Sequence, residues 1–133
     1  MNTGTRKLAR LEQDDPLTRK IIGCAVEVHR SLGPGLQEGI YVDALIVEFE
    51  IQGLNAKRQV ELPVVYKGRS IGKYRLDLLV EDAMVIEVKS VERHDPVFDA
   101  QMLTYLHLTG KRVGLLINFN SKLLKDGIKR FVL

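Results

Sequence analysis

A single cysteine, Cys24, is all the sulfhydryl the sequence contains. An intrachain disulfide framework is excluded, and no Cys/His cluster has the spacing of a zinc site. Cys24 lies in an apolar run of helical period and reads as a small core residue, suited to a reducing compartment. No apolar run approaches the ~18 residues that a membrane span needs. The N-terminal stretch "MNTGTRKLARLEQDD" has no apolar core, so no secretory signal is expected and the expected location is cytoplasmic. Internal repeats and low-complexity tracts are also lacking. The glycines at Gly33 and Gly35 are not followed by GK[ST], which excludes a P-loop. No Ser/His/Asp arrangement suggests a nucleophilic triad. Aromatic residues make up only 6% and are not interleaved with the basic ones, so base stacking is not signalled.

What is present is ordinary globular material. The 133 residues are 45% hydrophobic and 28% charged, with net charge +3. Residues 1–13 read as a polar, loosely ordered segment and 14–133 as one domain. Asp14-Asp15-Pro16 starts a helix, and Leu17, Ile21, Cys24, Val28 and Leu32 follow at helical spacing. A second helix is expected over residues 38–52, stopped by Gly53. The period then changes to that of strands, over 56–66, 71–80 and 84–90, with Pro63 marking an edge or a bulge. Asp95-Pro96 opens a third helix that Gly110 ends. A buried strand is expected over 112–119, a short helical turn capped by Ser121 follows, and "IKRFVL" closes the chain as a strand. The order ααβββαβ(α)β describes a mixed central sheet flanked by helices, an α/β or α+β domain.

The stretch "YRLDLLVEDAMVIEVKS", from Tyr74 to Ser90, is the unusual one. It reads as two apolar strands around a turn at 81–83, yet carries Asp77 in the first strand and Glu87 and Lys89 in the second. If Val80 pairs with Met84, Asp77 falls opposite Glu87 and Arg75 opposite Lys89. Leu78 then pairs with Ile86, and Leu76 with Val88, on the apolar face. A slip of one residue would place Asp77 across from a core-facing residue, which the apolar pattern opposes. Two opposed carboxylates repel unless compensated. Either Arg75 and Lys89 neutralise them on a solvated face, or a hard cation such as Mg2+ or Mn2+ binds between them. In the second case Lys89 is placed to orient a bound water or to stabilise charge on a phosphate.

Other residues bear on that choice. Glu38, in "GLQEGIY", sits in the first turn of the second helix, where the helix dipole favours an acid. Gln101 and Tyr105 share a face of the third helix at i,i+4 spacing. His94 precedes that helix and reads either as a solvated loop histidine, the commoner case, or as a phosphate contact. Lysines and arginines scattered from Lys57 to Arg130 read singly as solvated surface and together as a phosphate-tracking rim.

These residues together resemble the PD-(D/E)XK nuclease superfamily, in its RecB-like or lambda-exonuclease-like branch. More narrowly, Gly35, Glu38 and Tyr41 match the signature of the GxxExxY protein family. The resemblance runs from about Leu17 to the C-terminus and includes "RLDLLVED", "VIEVKSV" and "AQMLTYLHLTG". It implies a restriction-endonuclease-like core. It also implies Asp77 and Glu87 as metal-binding acids, Lys89 as the catalytic lysine and Glu38 as a further acid at the metal or just outside it. Gln101 and Tyr105 match the branch's QxxxY helix, which lines the active site. Leu76 stands where the superfamily name has proline. The implied activity is Mg2+- or Mn2+-dependent hydrolysis of nucleic acid, DNA before RNA, with room for a homodimer. The competing reading is a nucleic-acid- or protein-binding module that keeps the fold without turnover.

Overall fold

The computed structural model describes residues 15–133. The expectation for residues 1–13, and the part of the first helix start assigned to Asp14, lie outside them. Helix α1 (Pro16–Leu32) begins where expected: the Asp15 carboxylate accepts the Leu17 and Thr18 amides, at 3.0 and 3.2 Å. Helix α2 (Glu38–Ile51) follows the glycine-rich break. Strands β1 (Ala56–Tyr66), β2 (Arg69–Val80) and β3 (Met84–Lys89) come next, then helix α3 (Pro96–Thr109). Asp95 caps α3, and Gly110, left-handed at φ 71°, ends it. Strand β4 (Val113–Asn118), a short 3-10 turn and β5 (Ile128–Val132) complete the chain. Ser121 does not cap that turn. Its hydroxyl instead donates to the Asn118 carbonyl three residues back, and Leu123 holds the cap position.

The five strands lie in the order β1-β2-β3-β4-β5, antiparallel except for the parallel pair β3/β4 that α3 connects. Pro63 sits on the edge strand β1, next to a shift of register at Val64/Val65. The core lies on both faces of the sheet. Helices α1 and α2 pack with Leu78, Ile86, Val88, Leu115 and Ile117 on one face. Helix α3 packs Met102, Tyr105 and Leu106 against Leu76, Val85 and Leu116 on the other.

One irregularity shapes everything near Asp77. Arg58 pairs with Leu78 and Val60 with Leu76, but the rung between them, Gln59 with Asp77, is missing. Gln59 adopts φ 54°, a left-handed conformation that a side chain of its kind seldom takes. On a regular strand, residues two apart share a face. Here Leu78 packs under α1 and α2 while Leu76 packs under α3, so β2 turns over at Asp77. Strand β1 turns with it: Ala56 belongs to the first cluster, Val60 and Leu62 to the second.

Candidate active site

The expected register holds up to this kink. Val80 pairs with Met84 and Leu78 with Ile86, and there the main-chain ladder between β2 and β3 ends. Side chains take over where the next rung would fall. The Asp77 amide donates to Glu87 Oε2, and the Val88 amide donates to Asp77 Oδ2, each at 2.8 Å. Each acid thus stands in for a main-chain acceptor of the opposite strand, which explains charged residues inside two apolar strands. The expected partnership of Leu76 with Val88 does not form. The turn-over of β2 sends Leu76 to the α3 face while Val88 stays on the other. Arg75 likewise does not pair with Lys89; its guanidinium reaches Glu61 at 3.5 Å on β1.

Glu87 is buried, 6% exposed. Burial, and next the charge of Asp77, push its carboxyl up to about 8, against the opposing pull of the Asp77 amide and Lys89. The two carboxyl groups also lie within hydrogen-bonding reach of each other, which adds to the rise at Glu87. Hard oxygens on two opposed acids, one resisting its own charge, are a donor set that suits Mg2+ or Mn2+.

The other sequence candidates distribute around this pair. Tyr105 lies on the same side: burial first, then the charges of Glu87 and Asp77, push its hydroxyl up to about 12. Gln101 is half-buried one turn earlier on α3. Lys89 forms no ion pair with either acid, and its ammonium sits 4.5 Å from the centre of the Phe98 ring. Glu38 is engaged elsewhere, its carboxylate accepting the Ser90 amide at 3.3 Å just past the end of β3. Among the described residues, no three His, Cys, Asp or Glu side chains gather closely enough to hold one metal ion.

A family model of the PD-(D/E)XK nuclease superfamily matches residues 15–131. The chain belongs to the PD-(D/E)XK nuclease superfamily. Comparison with curated proteins yields no match. Among solved structures, the crystal structure of SSO0001 is similar at 19% identity and a TM-score of 0.43, over 96% of this chain and 73% of that one.

Within this member of the superfamily, two features around the acids had not been singled out in the sequence. Asn118, at the end of β4, lies beside Lys89 in the parallel register. Its side chain donates to the Val91 carbonyl at 2.9 Å and accepts the Val91 amide at 3.1 Å. These two hydrogen bonds hold the segment leaving Lys89. The only signal was an amide closing an apolar run. The second feature is a groove of about 420 Å³ beside Lys89, also lined by His94, Phe98, Asn118, Lys129 and Arg130. The last two cations are partly neutralised, Lys129 by Asp99 at 3.0 Å and Arg130 by Asp15 at 3.2 Å.

Proposed function

We propose that the protein is a metal-dependent nuclease that hydrolyses phosphodiester bonds of DNA. The observation that carries this reading is the crossed pair of hydrogen bonds fixing Asp77 and Glu87 against each other. These two acids would hold Mg2+ or Mn2+. When bound, such a cation polarises a phosphate and lowers the pKa of an attacking water. Lys89, two residues from Glu87 on the α3 side, supplies positive charge to the phosphate as negative charge develops on it. Gln101 and Tyr105 line the same side and position the substrate. Glu38 acts at one remove, by fixing Ser90 beside Lys89. The cationic groove next to Lys89 receives the neighbouring phosphates.

The test compares purified wild type with Lys89→Ala on single-stranded, duplex and branched substrates, with Mg2+, Mn2+ or EDTA. Wild type should cleave only with metal. The variant should still bind metal and nucleic acid and lose cleavage roughly 100-fold or more, the scale of removing one preorganised charge. Activity that survives unchanged in the variant would belong to a contaminant. Absence of metal-dependent cleavage by wild type on every substrate would leave the binding module without turnover.

A further inference from the structure

The same kink that creates the acid pair also frees half of a β-hairpin. β2 pairs with β3 only from Leu78 to Val80, whereas it pairs with β1 along nearly its whole length. From Leu62 and Tyr74 outward the two strands run as a ribbon, turned by Lys67 and Gly68 at φ 48° and 77°. Consecutive positive φ values make a turn whose twist suits a two-residue hairpin. The ribbon is roughly 15 Å long at ~3.3 Å per residue. Its end exposes Val65, Tyr66 and Ile71, at 60%, 59% and 65%. Four cations, Lys67, Arg69, Lys73 and Arg75, lie between residues 62 and 76, and no acid does. Glu61 at the base engages Lys73 and Arg75, at 3.2 and 3.5 Å. Lys67 and Arg69 form no ion pair among the described residues.

We propose that this ribbon is a DNA-gripping arm that enters the major groove of a B-form duplex and leads it to the acids at its base. The choice of a nucleic acid rests on the nuclease reading; the choice of duplex DNA comes from shape and charge. A B-DNA major groove is about 12 Å wide and admits a two-stranded ribbon, whereas that of A-form RNA is too narrow. The arm's cations face phosphates, while its apolar tip meets base edges such as thymine methyl groups. A second copy of this chain fits less well, since two such arms would bring like charges together. β2 runs directly from the arm into Asp77, so a gripped duplex is held in fixed register with the acid pair.

The test measures binding in EDTA, by anisotropy, to a blunt DNA duplex of about two helical turns and to an RNA duplex of the same sequence. Wild type is compared with Lys67→Gln/Arg69→Gln/Ile71→Ser, whose three sites are exposed, so its melting temperature should match wild type. The variant should lose roughly tenfold in DNA affinity, and its salt slope should be shallower by about 1.8, at ~0.9 per lost phosphate contact. RNA binding should fall by clearly less than DNA binding. Unchanged affinity and slope, an equal loss on RNA, or a wild-type dimer that the variant dissociates in sedimentation would each overturn the proposal. Cleavage is not read here, so an inactive wild type leaves this test intact, and loss of the arm leaves the Lys89→Ala comparison intact.

Discussion

Tyr41 and Tyr105 are both motif tyrosines and both buried, yet they stand on opposite faces of the sheet and do opposite things. Tyr41 is consumed by the fold. Its hydroxyl donates to the Gly33 carbonyl at 2.5 Å and accepts the Leu36 amide at 3.1 Å. Its ring stacks on Phe119 at 4.4 Å and 9°. It therefore pins the glycine-rich loop from which Glu38 starts α2. Tyr105 meets Tyr74 edge-on at 5.6 Å, and its hydroxyl has no hydrogen-bond partner among the described residues. Beside it stand Glu87 and Asp77, whose charges oppose its ionisation. On the α1/α2 face the motif tyrosine is spent on the fold. On the α3 face two groups resist ionisation beside each other, Glu87 and Tyr105, which is characteristic of sites that act on ligands.

The largest effect should come from the acid that most resists ionisation, Glu87. Its folded-state carboxyl is raised from an ordinary 4.5 to about 8. The folded state therefore holds a proton that the unfolded state has released between those values. Stability in EDTA should be highest below about pH 4.5 as far as Glu87 is concerned, and should fall as pH rises toward 8, by roughly 2–4 kcal/mol. Chemical denaturation from pH 5 to 8.5 reads this directly. Glu87→Gln should flatten the profile, because the amide cannot ionise. A profile identical in wild type and variant would mean that the α3 face bears no such stress.

Next in size is the opposite face. Tyr41→Phe keeps the ring stack but removes both hydrogen bonds, leaving the Gly33 carbonyl and the Leu36 amide without that partner. A loss of about 1–3 kcal/mol is expected, independent of pH between 5 and 8. A denaturation midpoint equal to wild type would show that Tyr41 does not pin the glycine-rich loop.

Much of this division was legible in the sequence, and what was not has identifiable causes. The pairing of Leu78 with Ile86 followed from apolar alternation, because only one register buries those residues together. Caps at Asp15, Asp95 and Gly110 were readable because each meets a local backbone need. The turn-over at Asp77 was not readable. "RLDLL" alternates as a regular strand would, and the break depends on Gln59 taking a positive φ that glutamine does not advertise. Asn118 was missed for another reason: its partner, Val91, is distant in the chain and engages it through main-chain atoms. Acids, lysine and tyrosines could be named from type and spacing. Which were bound up by the fold and which stayed free depended on such long-range hydrogen bonds.

The smallest expected effect sharpens the comparison most. Tyr105→Phe removes a hydroxyl that no described residue engages, from a site that otherwise keeps its packing against Tyr74, Met102 and Leu106. The hydroxyl is not among the buried polar atoms that lack a partner, so it reaches solvent, and deleting it loses no hydrogen bond within the described residues. Stability should change by less than about 0.5 kcal/mol, within the usual range of a neutral substitution. Metal-dependent cleavage should nevertheless fall, because the hydroxyl stands where the charges of Glu87 and Asp77 act on it. The two measurements must be made on the same preparations as Tyr41→Phe, which should show the reverse: reduced stability, with cleavage retained at temperatures where it stays folded. If Tyr105→Phe instead destabilised the protein as much as Tyr41→Phe and left cleavage intact, both tyrosines would be pins, and the contrast between the two faces would rest on the acids alone.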